Sequence, residues 1–246
     1  MTVARPVPVV PVYLLTGFLG SGKTTLLREL LAQRAARGAG DKIGVVINEL
    51  GAVGIDAALV GDDATRQLEL AGGCVCCVLG PELGTTLLGL CDAQPDLAAI
   101  VLETTGVAEP LPIAWALEAD ALAPRLRLAA IITVVDPLEL PASRDVSPAV
   151  DAQLRAADVV VVSKLDVATS TQRAASEAVL ATLAPHAPRL TDGTAAAAGW
   201  LDGVMADPAL APARVGATLA LPRAAHGIVS VALDVPGVVD LEELED

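Results

Sequence analysis

The hydrophobic positions of this chain follow two alternating patterns, short unbroken apolar runs and longer stretches with helical spacing. A short apolar run between turn residues is typical of a strand buried on both faces of a sheet, whereas apolar residues three and four apart predict an amphipathic helix. The first run, Val9–Thr16, ends in a glycine-rich loop. The stretch Lys23–Arg37 follows, with leucines at helical spacing, and stops at Gly38. A strand, a loop and a helix are predicted there.

The same alternation continues through most of the chain. It predicts further strands over Lys42–Asn48, Leu97–Leu102, Leu126–Val135 and Asp158–Val162. It predicts helices near Pro81–Cys91, Pro110–Ala119 and Pro148–Ala157, and over Ser170–Leu183. Strands and helices that alternate through short connections predict an α/β fold with a doubly wound, mostly parallel sheet. Ligands of such sheets bind at the carboxyl ends of the strands.

The periodicity weakens after residue 184, where alanine and proline dominate. One short helix is expected around Ala195–Met205, followed by a linker, a strand over Gly227–Val235 and a helical start over Val238–Asp246. We therefore divide the chain into a first domain (1–195), a linker (196–225) and the incomplete beginning of a C-terminal α+β domain (226–246).

Charge and composition limit the partners. The chain has 246 residues and a formal net charge of −14, which argues against a general nucleic-acid surface and against binding to anionic membranes. We find no signal peptide at the start and no uninterrupted apolar run of about 18 residues, the length that a spanning helix needs. A cytoplasmic protein is expected, in which clustered cysteines indicate metal or redox chemistry more often than disulfides.

The loop after the first strand has the sequence Gly-Phe-Leu-Gly-Ser-Gly-Lys-Thr and fits G-x-x-x-x-G-K-[ST] at every fixed position. A strand before it and a helix after it make a phosphate-binding loop a stronger interpretation than a chance glycine-rich turn. Lys23 is expected to bridge β- and γ-phosphate oxygens, Thr24 to ligate Mg²⁺ and Thr25 to lie near the α-phosphate. The predicted nucleotide-binding residues of this loop are Gly17, Gly20, Ser21, Gly22, Lys23, Thr24 and Thr25.

A second motif, Ser163-Lys164-Leu165-Asp166, follows a valine run and resembles the guanine-specifying N-K-x-D. The Asp166 carboxylate can accept hydrogen bonds from guanine N1–H and from the 2-amino group, a donor pair that adenine lacks. Lys164 can lay its stem along the base. Ser163 stands where asparagine is usual and is expected to lose one amide contact. An ordinary surface loop with a Lys–Asp pair is the alternative.

A third motif, Glu103-Thr104-Thr105-Gly106, ends a hydrophobic strand. A carboxylate in that position resembles Walker B, so Glu103 is expected near Mg²⁺, partly through water. Gly106 can bring its N–H to the γ-phosphate and form a hinge that responds to hydrolysis. With Lys23 and Thr24, these two residues form the predicted catalytic set. A solvated strand end is the alternative for Glu103.

Cys74, Cys76 and Cys77 lie in Gly-Gly-Cys-Val-Cys-Cys, which is too tight for an ordinary disulfide framework. Thiolates at this spacing suit Zn²⁺, with Co²⁺ as a second candidate. Packed thiols and a redox cluster remain alternatives. Cys91 lies on an apolar helical face and is expected in the core.

Six segments together resemble the CobW-type (CobW/HypB/UreG) metallochaperone P-loop GTPases. They are Gly17–Thr25, Asn48–Gly51 with Asp56, Gly73–Cys77, Glu103–Gly106, Gln153 with Ala157-Asp158, and Ser163–Asp166. The resemblance implies binding of GTP and Mg²⁺, slow hydrolysis to GDP, and delivery of Zn²⁺ or Co²⁺ to a client metalloprotein or an enzyme of the cobalamin pathway. It also implies a nucleotide- or metal-dependent dimer.

Two positions depart from some members of that family, which carry metal-assisting carboxylates there. This chain has Ile47 and Ala52 instead, so Glu49 is the remaining local acid and a candidate near Mg²⁺. Two other functions fit part of the pattern. A phosphoryl-transfer kinase would use the same loop but leave Ser163–Asp166 unexplained, and a nucleotide-dependent metal sensor would bind the ion without delivering it.

Overall fold

A seven-stranded sheet forms the centre of the molecule in the computed structural model, which describes residues 9–47, 65–69, 81–119 and 121–211. The strands are β1 (Val10–Thr16), β2 (Lys42–Ile47), β3 (Thr65–Glu69), β4 (Leu97–Glu103), β5 (Leu126–Val135), β6 (Val159–Val162) and β7 (Arg189–Leu190). Neighbouring strands pair in the order β3-β2-β4-β1-β5-β6-β7, and each pairing is parallel. The predicted doubly wound α/β fold is confirmed.

The strand order reverses at β1, which lies between β4 and β5. Along the sheet, Leu15 pairs with Glu103 of β4, and Thr16 pairs with Thr133 of β5. The carboxyl ends of these three strands therefore lie at one level. In open α/β sheets the crevice at such a reversal is where ligands bind, and the glycine-rich loop begins there.

Helices cover both faces of the sheet. They are α1 (Lys23–Arg37), α2 (Pro81–Ala93), α3 (Pro110–Glu118), α4 (Leu140–Val146), α5 (Ala149–Arg155), α6 (Ser170–Leu183) and α7 (Thr194–Ala206), with a final 3₁₀ turn over Pro208–Leu210. The predicted bounds of α1, α6 and β5 are confirmed, and β4 continues one residue further, to Glu103. The helix predicted near Pro148–Ala157 is present as α5 and is slightly shorter, because Pro148 is its N-cap and Ala156 is its C-cap.

Three elements were not predicted. β3 has the sequence Thr-Arg-Gln-Leu-Glu, which lacks an apolar run, and it lies at the edge of the sheet. β7 has two residues at the opposite edge, and α4 has seven residues, of which Leu140 and Ser143 are buried. The predicted strand over Gly227–Val235 and the helical start after it lie outside the described residues. None of the helices in the described ranges is long and apolar enough to span a membrane.

Alternate residues of β1 pack into two different hydrophobic clusters, one on each face of the sheet. Val12 and Leu14 pack in the cluster that includes α2 and α3, whereas Tyr13 and Leu15 pack in the cluster with α1 and α7. Tyr13, the only tyrosine, is fully buried, and its hydroxyl donates to the carbonyl of Val204 in α7 at 2.7 Å. Burial raises the pKa of this hydroxyl, so it stays a neutral donor.

A buried charge cluster attaches α7 to α1. Arg34 pairs with Asp202 of α7, and it also bonds the Asp41 carbonyl at 2.7 Å and the Asp41 carboxylate at 2.9 Å. Exposed Arg37 pairs with the same Asp202. The predicted division at residue 195 falls within α7. These contacts support a first domain that includes the whole of α7, and we propose its end after Ala206.

The charge cluster makes a prediction about stability. Asp202→Ala leaves the buried Arg34 with Asp41 as its acidic neighbour, and we expect this change to lower the free energy of unfolding by about 3 kcal/mol. Arg37→Ala is the matched control: its side chain is 56% exposed, so the loss should be below about 1 kcal/mol. Chemical denaturation measures both. An Asp202→Ala protein as stable as the control would contradict the proposed boundary.

Candidate nucleotide site

The loop between β1 and α1 has a backbone that only glycine adopts easily. Gly17, Gly20 and Gly22 have φ values of 139°, 70° and 102°, in the region that side chains disfavour. At Gly17 a Cβ atom would also lie 2.2 Å from the carbonyl oxygen of Val134. Gly22 is the N-cap of α1 and supplies no side-chain cap. The first N–H groups of α1 are therefore available to an anion.

Lys23 lies inside this loop. Its ammonium donates to the carbonyls of Gly17 at 2.8 Å and Phe18 at 3.1 Å, and its side chain is largely buried. These bonds hold the charge over the residues whose N–H groups would surround a phosphate. Thr25, the other residue predicted near the phosphates, is exposed on the first turn of α1.

Thr24 and Glu103 meet at the end of β4. The Thr24 hydroxyl donates to Oε1 of Glu103 at 2.8 Å, and the carboxylate is buried. Next to them, the Thr104 hydroxyl donates to that of Thr16 at 3.1 Å. A hydroxyl and a carboxylate oxygen beside a phosphate loop are the hard oxygen ligands that Mg²⁺ prefers, so the donor set fits this ion.

The loop that follows β4 packs directly against the phosphate loop. The Thr104 N–H donates to the carbonyl of Leu15 at 3.0 Å. At Gly106, a Cβ atom would lie 2.5 Å from the Leu19 nitrogen and 2.8 Å from its Cα. Only glycine permits this approach of two backbones, which explains the residue type at this position.

The loop after β6 also contacts the phosphate loop. The Ser163 hydroxyl lies 2.7 Å from the Ser21 carbonyl and 3.0 Å from the Val135 carbonyl. A hydroxyl has one proton, so it donates to one of these oxygens at a time. The sequence predicted a lost amide contact at this position. The structure shows that the serine instead connects the loop to the phosphate loop.

Lys164 contributes in a way that the sequence did not predict. Its ammonium donates to the carbonyl of Gly20 at 3.0 Å and to Asp136 at 2.6 Å, and its own φ of 51° is left-handed. Asp136 is buried, and its other oxygen accepts from the Leu138 N–H at 2.9 Å. The sequence did contain a signal for Asp136, because it is an acidic residue that follows an apolar run, as Glu103 is. Asp166 is exposed in the same loop.

A comparison with known protein families tests the identity of this arrangement. Residues 11–191 match the family model described as CobW/HypB/UreG, nucleotide-binding domain. The chain belongs to this family. The resemblance inferred from the motifs is thereby confirmed.

Curated relatives in the family include two zinc chaperones. The zinc chaperone YjiA of Escherichia coli is 37% identical over 169 residues, which cover 67% of this chain and 52% of the relative. The zinc chaperone CobW of Pseudomonas aeruginosa is 33% identical over 187 residues, covering 63% and 49%. This chain therefore spans about half the length of these relatives.

Two solved structures have the same fold. The Zn(II)-bound YjiA GTPase from E. coli superposes with a TM-score of 0.56 at 30% identity, over 75% of this chain and 57% of that one. The hydrogenase maturation factor HypB from Archaeoglobus fulgidus superposes with a TM-score of 0.53 at 19% identity, over 80% and 90%. The second likeness concerns the fold alone.

The predicted thiolate ligands of this CobW/HypB/UreG family member, and one predicted Mg²⁺ neighbour, lie outside the described residues. This applies to Cys74, Cys76, Cys77 and Glu49, and also to the segment Asn48–Asp56. Within the ranges that the structure describes, no group of three histidine, cysteine or acidic side chains could hold a metal ion. Cys91 is buried in the core as predicted, and burial raises the pKa of its thiol.

The Ser163 contact makes a prediction about nucleotide affinity. Ser163→Ala removes the hydroxyl between the two loops and should weaken GDP binding by about 0.5–1.5 kcal/mol, the usual net value of one hydrogen bond. Ser176→Ala is a matched control, since this buried hydroxyl donates to a main-chain carbonyl, that of Pro137, at 3.2 Å. Calorimetric titration with GDP measures both. Equal affinity in the two variants would contradict the role of Ser163.

Proposed function

We propose that this protein is a GTPase that binds GTP with Mg²⁺, hydrolyses it slowly to GDP, and uses the cycle to bind and deliver Zn²⁺. The observation that carries this proposal is the convergence of two loops on the phosphate loop. The loop after β4 approaches it through Gly106, which lies against Leu19, and the loop after β6 approaches it through Ser163 and Lys164. Lys23 of the phosphate loop itself bonds the Gly17 carbonyl.

The phosphate chemistry follows from these positions. Backbone N–H groups and the start of α1 receive the β-phosphate, while Lys23 balances the charge between the β- and γ-phosphates. Thr24 and, through water, Glu103 would hold Mg²⁺, which stabilises the charge that develops during phosphoryl transfer. Gly106 presents its N–H to the γ-phosphate and so distinguishes GTP from GDP.

Guanine recognition is assigned to the loop after β6. The exposed carboxylate of Asp166 accepts from the guanine N1–H and the 2-amino group. Lys164, fixed by Gly20 and Asp136, keeps that loop at a set distance from the phosphates. Specificity for guanine then depends on one carboxylate, and the spacing between base and phosphate sites depends on one ammonium.

Hydrolysis by the isolated protein is proposed to be slow. The three nucleotide motifs, residues 17–24, 103–106 and 163–166, contain no arginine. Isolated GTPases turn over at roughly 10⁻⁴ per second when a partner supplies the arginine, and at roughly 10⁻² per second when the chain carries its own arginine at the site. Such a rate suits a switch better than a metabolic enzyme.

The cargo is assigned to Cys74, Cys76 and Cys77, with Zn²⁺ as the first candidate and Co²⁺ as the second. The names of two curated relatives, both zinc chaperones, support this order. Glu49 is proposed near Mg²⁺. We propose that the ion passes to a client metalloprotein or an enzyme of the cobalamin pathway, and that nucleotide or metal promotes a dimer. GDP formation would loosen the Gly106 hinge and release the ion.

The nucleotide proposal is tested with two variants. Lys23→Ala should abolish binding of GTP and GDP, because the loop loses its only lysine. Asp166→Ala should weaken GTP binding by about 1–3 kcal/mol, since buried guanine donors lose their acceptor, and should leave ATP binding unchanged. Equilibrium titration with each nucleotide measures the effects. Equal binding of GTP and ATP by the unaltered protein would favour a kinase instead.

The metal proposal is tested with a double variant. Cys76→Ala/Cys77→Ala should lose the single Zn²⁺ per chain and keep the GTP affinity of the zinc-free protein, because the thiolates and the phosphate loop are separate groups. Zn²⁺ stoichiometry by elemental analysis, in parallel with GTP titration, provides the measurement. Cys91→Ala is the control, since this buried thiol should not affect the metal. A double variant that retains one Zn²⁺ would contradict the assignment.

A further inference from the structure

Gln153 of α5 reaches from its helix into the loop that carries Gly106. The residue is 1% exposed, and its side-chain nitrogen donates to the carbonyls of Gly106 and Ala108, both at 3.0 Å. A side-chain amide nitrogen has two protons. Both are therefore used on one short loop, and this loop lies 47 positions away along the chain.

The loop is held from two sides. On one side, Gln153 donates two hydrogen bonds to the carbonyls of the loop. On the other side, Gly106 lies so close to Leu19 that a Cβ atom would clash with the phosphate loop. Within the loop itself, the Ala108 N–H donates to the Thr105 carbonyl at 3.1 Å. The carbonyl side of Gly106 is thus fixed at a set place above the phosphate loop.

Two peptide units meet at Gly106, and each of them is bonded. The Gly106 carbonyl belongs to the unit with residue 107, and the Gly106 N–H belongs to the unit with the Thr105 carbonyl; the two rigid units share only the Gly106 Cα. Gln153 holds the first unit directly. The second unit is held by the Ala108 N–H, which donates to the Thr105 carbonyl, and Ala108 itself is bonded to Gln153 through its carbonyl.

We propose that Gln153 is a positioning residue that makes Gly106 sensitive to the γ-phosphate. Gln153 holds the Gly106 carbonyl directly and the Thr105–Gly106 unit through Ala108, and so it fixes the direction of the Gly106 N–H. The N–H then meets a γ-phosphate without the loop having to be ordered first. This inference rests on the proposed GTPase function. It predicts that Gln153 affects discrimination between GTP and GDP more than it affects nucleotide binding in general.

A purely structural role would give a different result. Two buried carbonyls need donors, and Gln153 supplies them, so a change at this position lowers stability in either case. The Gln153 main-chain carbonyl separately accepts from the Thr133 hydroxyl at 3.0 Å, which ties α5 to β5. A side-chain substitution leaves this second attachment in place. Stability and nucleotide discrimination can therefore be separated.

The experiment compares Gln153→Met, which keeps the length and removes both donors, with Thr133→Val, which loosens α5 and keeps the donors. For each protein we measure the affinities for GDP and for a non-hydrolysable GTP analogue, together with kcat and KM for GTP. In Gln153→Met we expect GDP affinity within about twofold, analogue affinity lower by about fivefold or more, and kcat lower by about tenfold, since two hydrogen bonds are lost. In Thr133→Val the ratio of analogue to GDP affinity should stay unchanged.

Thermal unfolding accompanies each measurement, and Gln153→Leu, which also lacks both donors, is a second variant in case Gln153→Met does not fold. A folded Gln153 variant with the ratio of the unaltered protein would overturn the inference alone. An unaltered protein that binds no guanine nucleotide would contradict the proposed function and this inference together.

Discussion

The carbonyl oxygens of the phosphate loop are the constraint on which the site depends. In a loop with glycines at positive φ, successive N–H groups converge on one side, where a phosphate binds. The carbonyls then need donors of their own. Here the donors come from Lys23, Ser163 and Lys164, which bond the loop at Gly17, Phe18, Ser21 and Gly20. The parts that recognise the nucleotide are thus connected through the loop that they surround.

The sheet provides this arrangement. β1 lies between β4 and β5, so the loops after β1 and β4 start side by side, and Asp136 starts the loop after β5. Ser163, at the end of β6, donates its N–H to the Val135 carbonyl at 2.9 Å and keeps the next loop in line. A change at one loop, such as the loss of a γ-phosphate that we propose Gly106 contacts, would therefore act on residues that are already in contact. The effect of the bound nucleotide can therefore pass between these loops through direct contacts.

Much of this architecture could be predicted from the sequence, because unbroken apolar runs and leucine spacing identify buried parallel strands and their covering helices. β5, α1 and α6 have the predicted bounds for that reason. β3 could not be predicted, since its sequence has no apolar run and it joins the sheet by main-chain pairing with β2 at the edge. The boundary predicted from composition falls inside α7. The attachment of this helix depends on Arg34, which is distant in sequence, and composition does not show such a contact.

The site was predictable to a similar degree. The structure brings together around one loop the residues that the motifs singled out, Lys23, Thr24, Glu103, Gly106 and Ser163, and their roles stay predictions. The bonding partners were not predictable, because they are main-chain carbonyls and carry no residue signal. This applies to the Ser163 hydroxyl and to the Gln153 amide. Asp136 was missed although it ends an apolar strand, because no motif drew attention to it. The roles of Cys74, Cys76 and Cys77 remain predictions.

A nucleotide switch around a thiolate metal site requires that nucleotide and metal bind cooperatively, since both would order the same segments. The most direct measurement is the Zn²⁺ affinity of the protein, by competition with a chromophoric chelator, in the presence of a non-hydrolysable GTP analogue, of GDP, and of neither. We expect the tightest binding with the GTP analogue, and by linkage an equal factor of tightening of the analogue by Zn²⁺. Identical Zn²⁺ affinity in all three states would contradict the account and leave a GTPase with a structural metal.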